Sequence, residues 1–301
     1  MNSLNNFIVN IVKILPKSII YLFAKKYIAG KTLADGITVA KKLNSKGIMA
    51  TMDVLGESVD RKEDAIAFVD DFLELLDTIE KENLNSNIST KPTQFGLNIS
   101  FDFCLEQYDK ILQRAVKYNN FVRIDMEDSS TTDNIIKLYK TLHKKYPDNV
   151  GIVVQAYLHR TYNDVVDLNK LGANYRLCKG IYIEPKEIAY KKKEEIRNNF
   201  IKILERMIKD KCYVGIATHD KPIIERAYKI IEENKLSQKE YEFQMLYGVT
   251  ENLRQQILDR GHRMRVYVPF GEQWHFYALR RLQENPQLAW IMFKSFLPFS
   301  K

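Results

Sequence analysis

The sequence has few of the features that mark several large protein classes. Its 301 residues include three cysteines, Cys104, Cys178 and Cys212, which form no C-x-x-C pair. An odd number of widely spaced cysteines argues against a disulfide framework or a structural zinc site and fits a reducing cytoplasm. No apolar run approaches the roughly 20 residues that a membrane-spanning helix needs. We therefore expect a globular cytoplasmic protein.

Dinucleotide, linker and nucleic-acid signatures are also missing. No G-x-G-x-x-G follows any candidate strand, and no Gly/Ser linker or low-complexity stretch divides the chain. The formal charge of +8 comes partly from lysine clusters such as 191–193. Such a surface attracts anionic lipid or nucleic acid, but no zinc finger, RNA-binding strand or recognition helix accompanies it. We predict one main domain and no nucleic-acid partner.

What the sequence does contain is a repeated alternation. From residue 48 onward, short β-rich apolar runs are each followed by a longer stretch with helical periodicity. Some runs are apolar on both faces, as parallel strands beneath helices require. Eight alternations predict an α/β fold, a closed (β/α)8 barrel of the TIM type, with a doubly wound open sheet as the alternative. The runs are 48–55, 87–91, 121–126, 150–157, 174–179, 213–218, 242–246 and 264–268.

The two ends of the chain lie outside this alternation. Residues 1–28 alternate apolar residues with lysines around Pro16 and predict a short helical extension before a barrel at 29–301. The two short amphipathic helices of this extension either pack on the domain or touch a membrane surface. At the other end, 274–285 is predicted as the eighth helix and 288–296 as a last short helix that caps the barrel.

Polar residues follow every apolar run, at the end of the strands where a β/α barrel carries its reactive groups. One such residue is often only a helix cap, but a ring of them indicates a site. It contains both cations and anions, which suits a zwitterionic ligand better than a polyphosphate or a metal. The ring consists of Asp53 and Glu57; Lys91; Asp125, Glu127 and Asp128; Gln155; Arg176 and Lys179; Thr218, His219 and Asp220; Gln244 and Tyr247; and Tyr267.

Several segments together carry a family resemblance. They are AGKTL at 29–33, KPTQFGL at 91–97, FVRIDMED at 121–128, RLCKG at 176–180, ATHD at 217–220, FQMLYG at 243–248, YVPFG at 267–271 and YALRRLQE at 277–284. In this order they resemble the motifs of proline dehydrogenases, specifically the short single-function bacterial enzymes. Cys178 stands where valine is common in that family, and Ile181 where a smaller residue is usual.

The resemblance implies a cofactor, a reaction and partners. Noncovalent FAD would lie across the barrel mouth, and a hydride would move from C5 of L-proline to flavin N5 to give 1-pyrroline-5-carboxylate. The electrons would then pass to a membrane quinone, from a protein in the cytoplasm or peripheral on the inner face of the membrane. In such an enzyme the flavin does the redox chemistry, and the protein positions the substrate and sets the charges.

The same resemblance implies residue roles around the substrate. Arg280 and Arg281 would hold the proline carboxylate, which suits a guanidinium fork. Lys91 and Asp125, at the ends of neighbouring strands, are predicted from their positions to form an ion pair, and the resemblance places both beside the proline ring. Tyr267 would pack near C4, so that proline is preferred to hydroxyproline.

The remaining implied residues close the pocket or touch FAD. Tyr182 and Tyr277 would complete the wall, and Glu57 resembles a gate residue that pairs with the arginine at 280 to exclude water. Asp125 and Arg176 are the expected catalytic residues, Arg176 because a cation near the flavin ring assists hydride arrival. The residues expected at the cofactor are Met126, Gln155, Arg176, Cys178, Lys179, Gly180 (through close backbone approach), Thr218, His219 and Glu284.

The same residues leave alternatives open. His219 and nearby carboxylates are a conceivable metal site, but no His-rich cluster supports one, and we predict no metal. A metal-dependent or Schiff-base lyase would use Lys91 or Lys179 as nucleophile and bind no flavin. Two further alternatives are a non-catalytic proline-binding barrel and a relative that oxidises hydroxyproline.

Overall fold

The barrel is closed. A computed structural model describes residues 20–21, 24–56 and 58–284, the last five of these by their backbone alone. Within these residues, eight parallel strands alternate with helices, each strand pairs with the next, and the first pairs with the last. The predicted (β/α)8 architecture is confirmed.

The strands and helices follow one another in regular alternation. The strands are β1 (Met49–Val54), β2 (Ser86–Thr90), β3 (Val122–Ile124), β4 (Val150–Gln155), β5 (Tyr175–Cys178), β6 (Val214–Ala217), β7 (Tyr241–Leu246) and β8 (Met264–Phe270). The helices are α1 (Leu33–Asn44), α2 (Lys62–Lys81), α3 (Phe101–Lys117), α4 (Thr132–Lys145), α5 (Thr161–Leu168), α6 (Lys193–Lys209), α7 (Lys221–Glu233), α8 (Glu251–Asp259) and α9 (Trp274–Glu284). Two short 3-10 helices occupy Pro92–Phe95 and Asn169–Leu171.

The ends of these elements follow local chemistry. A capping box begins α1: the Thr32 hydroxyl accepts from the Asp35 amide at 3.2 Å, and the Asp35 carboxylate accepts from the Thr32 amide at 3.0 Å. The 3-10 helix after β2 ends at Gly96, whose φ of 83° favours glycine. The predicted strands are all present with slightly different ends, and predicted helix 274–285 corresponds to α9. The predicted helix at 288–296 lies outside the described residues.

The apolar core is the layer between the strands and the helices. Strand residues such as Met52, Ile152 and Val266 are fully buried there, together with Phe72 of α2 and Leu138 of α4. Each such side chain contributes about 1.5–3 kcal/mol by leaving water. The helices therefore cover the apolar face of every strand.

The inside of the barrel is polar. Arg176 on β5 forms hydrogen bonds with Ser89 of β2, Gln244 of β7 and, at 3.5 Å, Thr51 of β1. A side chain that reaches strands on the opposite wall must lie inside the barrel. Barrel interiors of this type are usually filled by Val, Ile and Leu. Here the interior is held together by hydrogen bonds and charge instead.

A buried glutamate anchors the lower part of this interior, toward the amino ends of the strands. Glu242 accepts from Arg265 Nε at 2.7 Å, and Arg263 lies 3.8 Å away. Burial alone would raise the pKa of Glu242, but Arg265 lowers it to about 2. Glu242 is therefore a carboxylate at neutral pH.

The described residues of the N-terminal extension pack on the barrel. Ile20, Ala24 and Ile28 are buried in one cluster with Leu55 and Trp274. Residues 1–19, 22 and 23, which carry most of the two predicted amphipathic helices, lie outside the description. No helix in the part of the chain that the structure describes is long and apolar enough to cross a membrane.

Glu242→Gln should make the free energy of unfolding less dependent on pH in the acid range. At neutral pH we expect a loss of about 3–5 kcal/mol, because the buried Arg265 loses its counter-charge. The folded pKa of Glu242 lies below its ordinary value of 4.5, so its stabilising effect is present above that value and lost as the pH falls toward about 2. Urea unfolding at a series of pH values should therefore show the two proteins converging in acid.

Glu232→Gln is the matched control, because Glu232 is exposed on α7. It should change the free energy of unfolding by less than about 0.5 kcal/mol at every pH. A constant difference between wild type and Glu242→Gln from neutral to acid pH would contradict an ionised Glu242.

Candidate active site

The carboxyl ends of the strands surround a cavity of about 550 Å³, here called the mouth cavity. Every predicted site residue whose side chain the structure describes lines it, and so does Tyr182. These predicted residues are Lys91, Asp125, Met126, Gln155, Arg176, Cys178, Lys179, Gly180, Thr218, His219, Tyr267 and Tyr277. Glu57 and the side chains of Arg280, Arg281 and Glu284 lie outside the description.

Arg176 forms the floor of the mouth cavity. Its Nη1 atom donates to Asp125 Oδ1 and to Ser89 Oγ, both at 2.8 Å, and its Nε donates to Gln244 Oε1 at 2.6 Å. The Ser89 hydroxyl in turn donates to Asp125 Oδ1 at 2.6 Å. Bonds on two edges of the planar guanidinium fix its orientation, and the nearby carboxylate offsets the cost of burying it.

Asp53 organises the opposite wall. Its Oδ2 atom accepts from Lys91 Nζ at 2.7 Å and from the Tyr267 hydroxyl at 2.6 Å. Burial raises the pKa of Asp53, while Lys91 and Tyr267 act in the other direction. Burial and the Asp53 carboxyl raise the pKa of Tyr267 well above its ordinary value, which keeps that hydroxyl a donor. One carboxyl group thus positions two predicted substrate-binding side chains.

The predicted ion pair between Lys91 and Asp125 is wrong. Lys91 bonds with Asp53, whose strand β1 is adjacent to β2, and Asp125 bonds with Arg176. The reason is that Arg176 crosses the barrel interior and reaches Asp125 from β5. Spacing along the sequence does not reveal a partner that comes from another wall of the barrel.

Gln155 presents a buried acceptor. Its Nε2 donates to the backbone carbonyls of Met126 at 3.1 Å and Glu127 at 2.7 Å, which fixes the orientation of the amide. Its Oε1 is buried and has no hydrogen-bond partner within the described part of the chain. A buried acceptor without a partner costs about 1–3 kcal/mol. The cavity wall therefore offers a place for an N–H donor of a bound molecule.

Gly180 is required by the fold as well as expected at the cofactor. Its φ of 104° favours glycine, and a Cβ atom there would lie 2.1 Å from the ring of Tyr157. The close approach that the structure shows is thus to Tyr157. Approach to a cofactor remains a prediction for this residue.

Three further side chains of the cavity lining, those of His219, Cys178 and Lys179, have a defined protonation state or a defined partner. The Leu246 amide donates to His219 Nε2 at 3.0 Å, which places the proton of the neutral ring on Nδ1. Burial raises the pKa of Cys178 to about 11, so it is a neutral thiol. Lys179 Nζ lies 3.1 Å from Asp220. Among the described residues, no group of His, Cys, Asp and Glu could hold a metal ion.

Some polar strand-end residues support loops and do not line the cavity. Glu127 accepts from the amide of Thr93 at 3.0 Å and from its hydroxyl at 2.5 Å, and Asp128 accepts from the Ser130 amide at 2.9 Å. Conversely, Ser89 contributes to the site although the sequence analysis did not select it. Ser89 shares its strand face with Asn87 and Lys91, because residues two apart point to the same side. Ser86 and Thr90 on the other face are polar as well, so the pattern along β2 did not single out Ser89.

A larger cavity, of about 1010 Å³, lies beside the start of α2 and the end of β8. Its charged lining is mainly acidic, with Asp60, Asp64, Asp71 and Glu74. None of the predicted site residues described by the structure lines it. The mouth cavity is therefore the candidate active site.

The fold and the mouth cavity define a class: (β/α)8-barrel proteins with charged and aromatic residues converging at the carboxyl ends of the strands, where barrel enzymes carry their sites. A family profile described as proline dehydrogenase matches residues 37–290. The chain belongs to the proline dehydrogenase family, as the sequence motifs predicted.

Individual relatives agree with this assignment. Proline dehydrogenase 2 of Bacillus subtilis (strain 168) is 37% identical over 271 residues, 90% of this chain and 89% of the relative. The proline dehydrogenase of Deinococcus radiodurans is 31% identical over 270 residues, 88% and 87% of the two chains. A solved structure of proline utilization A (PutA) from Bdellovibrio bacteriovorus, inactivated by N-propargylglycine, has a TM-score of 0.82 at 24% identity and covers 92% of this chain and 34% of that one. Because the identity to this solved structure is low, its similarity shows the fold alone.

Proposed function

We propose that this protein oxidises L-proline to 1-pyrroline-5-carboxylate, with FAD in the mouth cavity and a membrane quinone as the final acceptor. The observation that carries the proposal is the shared lining of one cavity by the residues that resemble the family's substrate and cofactor residues. Those residues come from strands far apart in the sequence. A closed barrel brings the ends of all its strands together, and the residues that carry the motifs are among those that face the cavity there.

The cavity fits a flavin on one specific feature. Gln155 Oε1 is a buried acceptor without a partner among the described residues, and a flavin ring carries an N–H group that can donate to it. Arg176 supplies a fixed cation at the cavity floor, and Lys179 a second one nearer solvent. Bound FAD would accept the hydride, a reaction that no side chain of the protein can perform alone.

The substrate would be held mainly by charge. Arg280 and Arg281 on α9 would bind the carboxylate of proline, and Lys91, held by Asp53, would lie beside the ring. When a hydride leaves C5, the ring nitrogen must supply its lone pair to form the C=N bond. The bound amine must therefore be unprotonated, and the nearby cations Lys91 and Arg176 favour that neutral form.

Several wider parts of the proposal rest on the family resemblance. Glu57 would pair with Arg280 over the occupied site and exclude water. Residues 29–301 would form the catalytic barrel and 1–28 a helical extension. The protein would work in the cytoplasm, peripheral to the membrane that holds the quinone.

The lyase alternative is disfavoured by the contacts of Lys91, one of its two candidate nucleophiles. A Schiff-base lysine must lose its proton to attack a carbonyl. Lys91 Nζ lies 2.7 Å from Asp53 Oδ2, and attack on a carbonyl would have to break this contact. Membership of the proline dehydrogenase family also argues against a reaction without a flavin.

The decisive measurement is anaerobic addition of L-proline to the protein reconstituted with FAD while the visible spectrum is recorded. We expect L-proline to bleach the flavin absorption, and a soluble quinone analogue to restore it. Lys91→Met should lower kcat/KM for L-proline by about tenfold or more through the lost charge. Lys62→Met on α2, outside the mouth cavity, is the matched control and should leave it unchanged.

Each result has a separate meaning. A flavin band that L-proline leaves unchanged would reject the substrate and keep the cofactor. A protein that binds no FAD would reject both. Bleaching without reoxidation by the quinone analogue would reject the acceptor alone.

Tyr267→Ser should widen substrate acceptance to hydroxyproline. The ring of Tyr267 is proposed to fill the space near C4, so its loss should lower the preference for proline, measured as the ratio of the two kcat/KM values, about tenfold. Tyr267→Phe keeps the ring and loses only the bond to Asp53. It should keep the preference while slowing both substrates, and an unchanged preference in Tyr267→Ser would reject the placement of this side chain.

A further inference from the structure

Gln244 connects Arg176 to the buried anion below it. Gln244 Oε1 accepts from Arg176 Nε at 2.6 Å, and Gln244 Nε2 donates to Glu242 Oε1 at 2.6 Å. Both glutamine and glutamate are nearly inaccessible, at 5% and 1% exposure. The three side chains form a continuous path inside the barrel, from its lower interior to the floor of the mouth cavity.

The charge on Glu242 determines which way the Gln244 amide points. An amide can present either its oxygen or its NH₂ group to a neighbour. Arg265 keeps Glu242 ionised, and a carboxylate can only accept hydrogen bonds. The NH₂ group must therefore face Glu242, which leaves the amide oxygen as an acceptor for Arg176.

This acceptor sets the orientation of the guanidinium. The bond at Nε holds one edge of the group, while Nη1 donates to Asp125 and Ser89 on another edge and Nη2 makes a long contact, 3.5 Å, with Thr51. Without the Nε bond, the long side chain could rotate about its terminal torsions and still keep one bond to Asp125. Two separated anchors are what hold the planar group in a single position.

A neighbouring glycine leaves room for the amide. A Cβ atom on Gly215 of β6 would lie 2.3 Å from Gln244 Nε2 and 2.8 Å from its Cδ. Gly215 is not among the glycines with positive φ, so its backbone does not require glycine. Glycine is needed at this position because any larger residue would enter the space that the Gln244 side chain occupies.

We propose that Gln244 is a positioning residue that fixes the guanidinium of Arg176 beneath the mouth cavity, with its amide oriented by Glu242. The effect on turnover rests on the proposed oxidation of L-proline. The contact itself does not, and it can be tested separately.

The test compares wild type, Gln244→Met, Arg176→Lys and the double variant in a double-mutant cycle. Gln244→Met keeps the length of the side chain and removes both hydrogen bonds. We expect it to lower kcat for L-proline about ten- to a hundredfold, as small misplacements of catalytic groups do. In the Arg176→Lys background the same change should have an effect of about twofold or less, because the group that Gln244 holds is already gone.

Two readouts would not respond to a merely structural role. The reduction potential of the bound flavin should become more negative in Gln244→Met, because a displaced cation stabilises the reduced flavin less. The Nε–H resonance of Arg176, assigned by its loss in Arg176→Lys, should be slow to exchange in wild-type protein and fast in Gln244→Met. Gln107→Met, a buried glutamine on α3 outside the cavity, is the matched control and should move neither readout.

Gly215→Ala provides a second variant that keeps the glutamine. It should displace the amide and reproduce the exchange and potential changes, so the test does not depend on whether Gln244→Met folds. Slow exchange of the Arg176 Nε–H and an unchanged flavin reduction potential in whichever variant folds would overturn the proposal. It would also be overturned if the kcat losses of the two single variants multiplied in the double variant. If wild-type protein fails to oxidise L-proline but the exchange of the Arg176 Nε–H still becomes fast in the variants, the positioning role stands and the proposed substrate is rejected.

Discussion

The guanidinium of Arg176 is the charge on which the interior of this barrel depends. It enters from β5 and is bonded by side chains of β2 and β7 and by Asp125, which directly follows β3. A cation removed from water must be surrounded by acceptors, and the strands that enclose it supply them. The inner positions of the barrel are therefore polar, and the apolar core is confined to the layer between strands and helices. The apolar core and the polar groups of the site thus occupy two concentric layers.

The same arrangement makes the mouth cavity rigid before any ligand arrives. Arg176 and Asp125 are held on the floor, and Asp53 holds Lys91 and Tyr267 on the wall. Electrostatic groups that are already oriented need no rearrangement when charge moves during a reaction. Asp53 and Ser89, which accept or donate several of these bonds, are themselves not among the residues that line the cavity.

Much of the architecture and of the cavity lining follows from local sequence. Alternating strand and helix patterns specify a barrel, and strand ends specify its mouth, so Gln155, His219 and Tyr267 could be placed by pattern and motif. Partners across the barrel could not, because nothing in the spacing of Asp125 indicates that Arg176 reaches it. Alternation within β7 does mark Glu242 and Gln244 as sharing a face. Only the closed sheet shows that this face points inward, toward a buried cation.

Closure of the sheet has a consequence for synthesis on the ribosome. β1 pairs along its whole length with β8, and Asp53 bonds with Tyr267, 214 residues further along the chain. Until β8 has emerged, a nascent chain carries β1 with one open edge, which can pair with other chains. The wall formed by Asp53, Lys91 and Tyr267 is completed only when that edge is covered. Ligand binding at this wall would therefore require a completed barrel. A translational pause before β8 would prolong the time during which the open edge of β1 can pair with other chains.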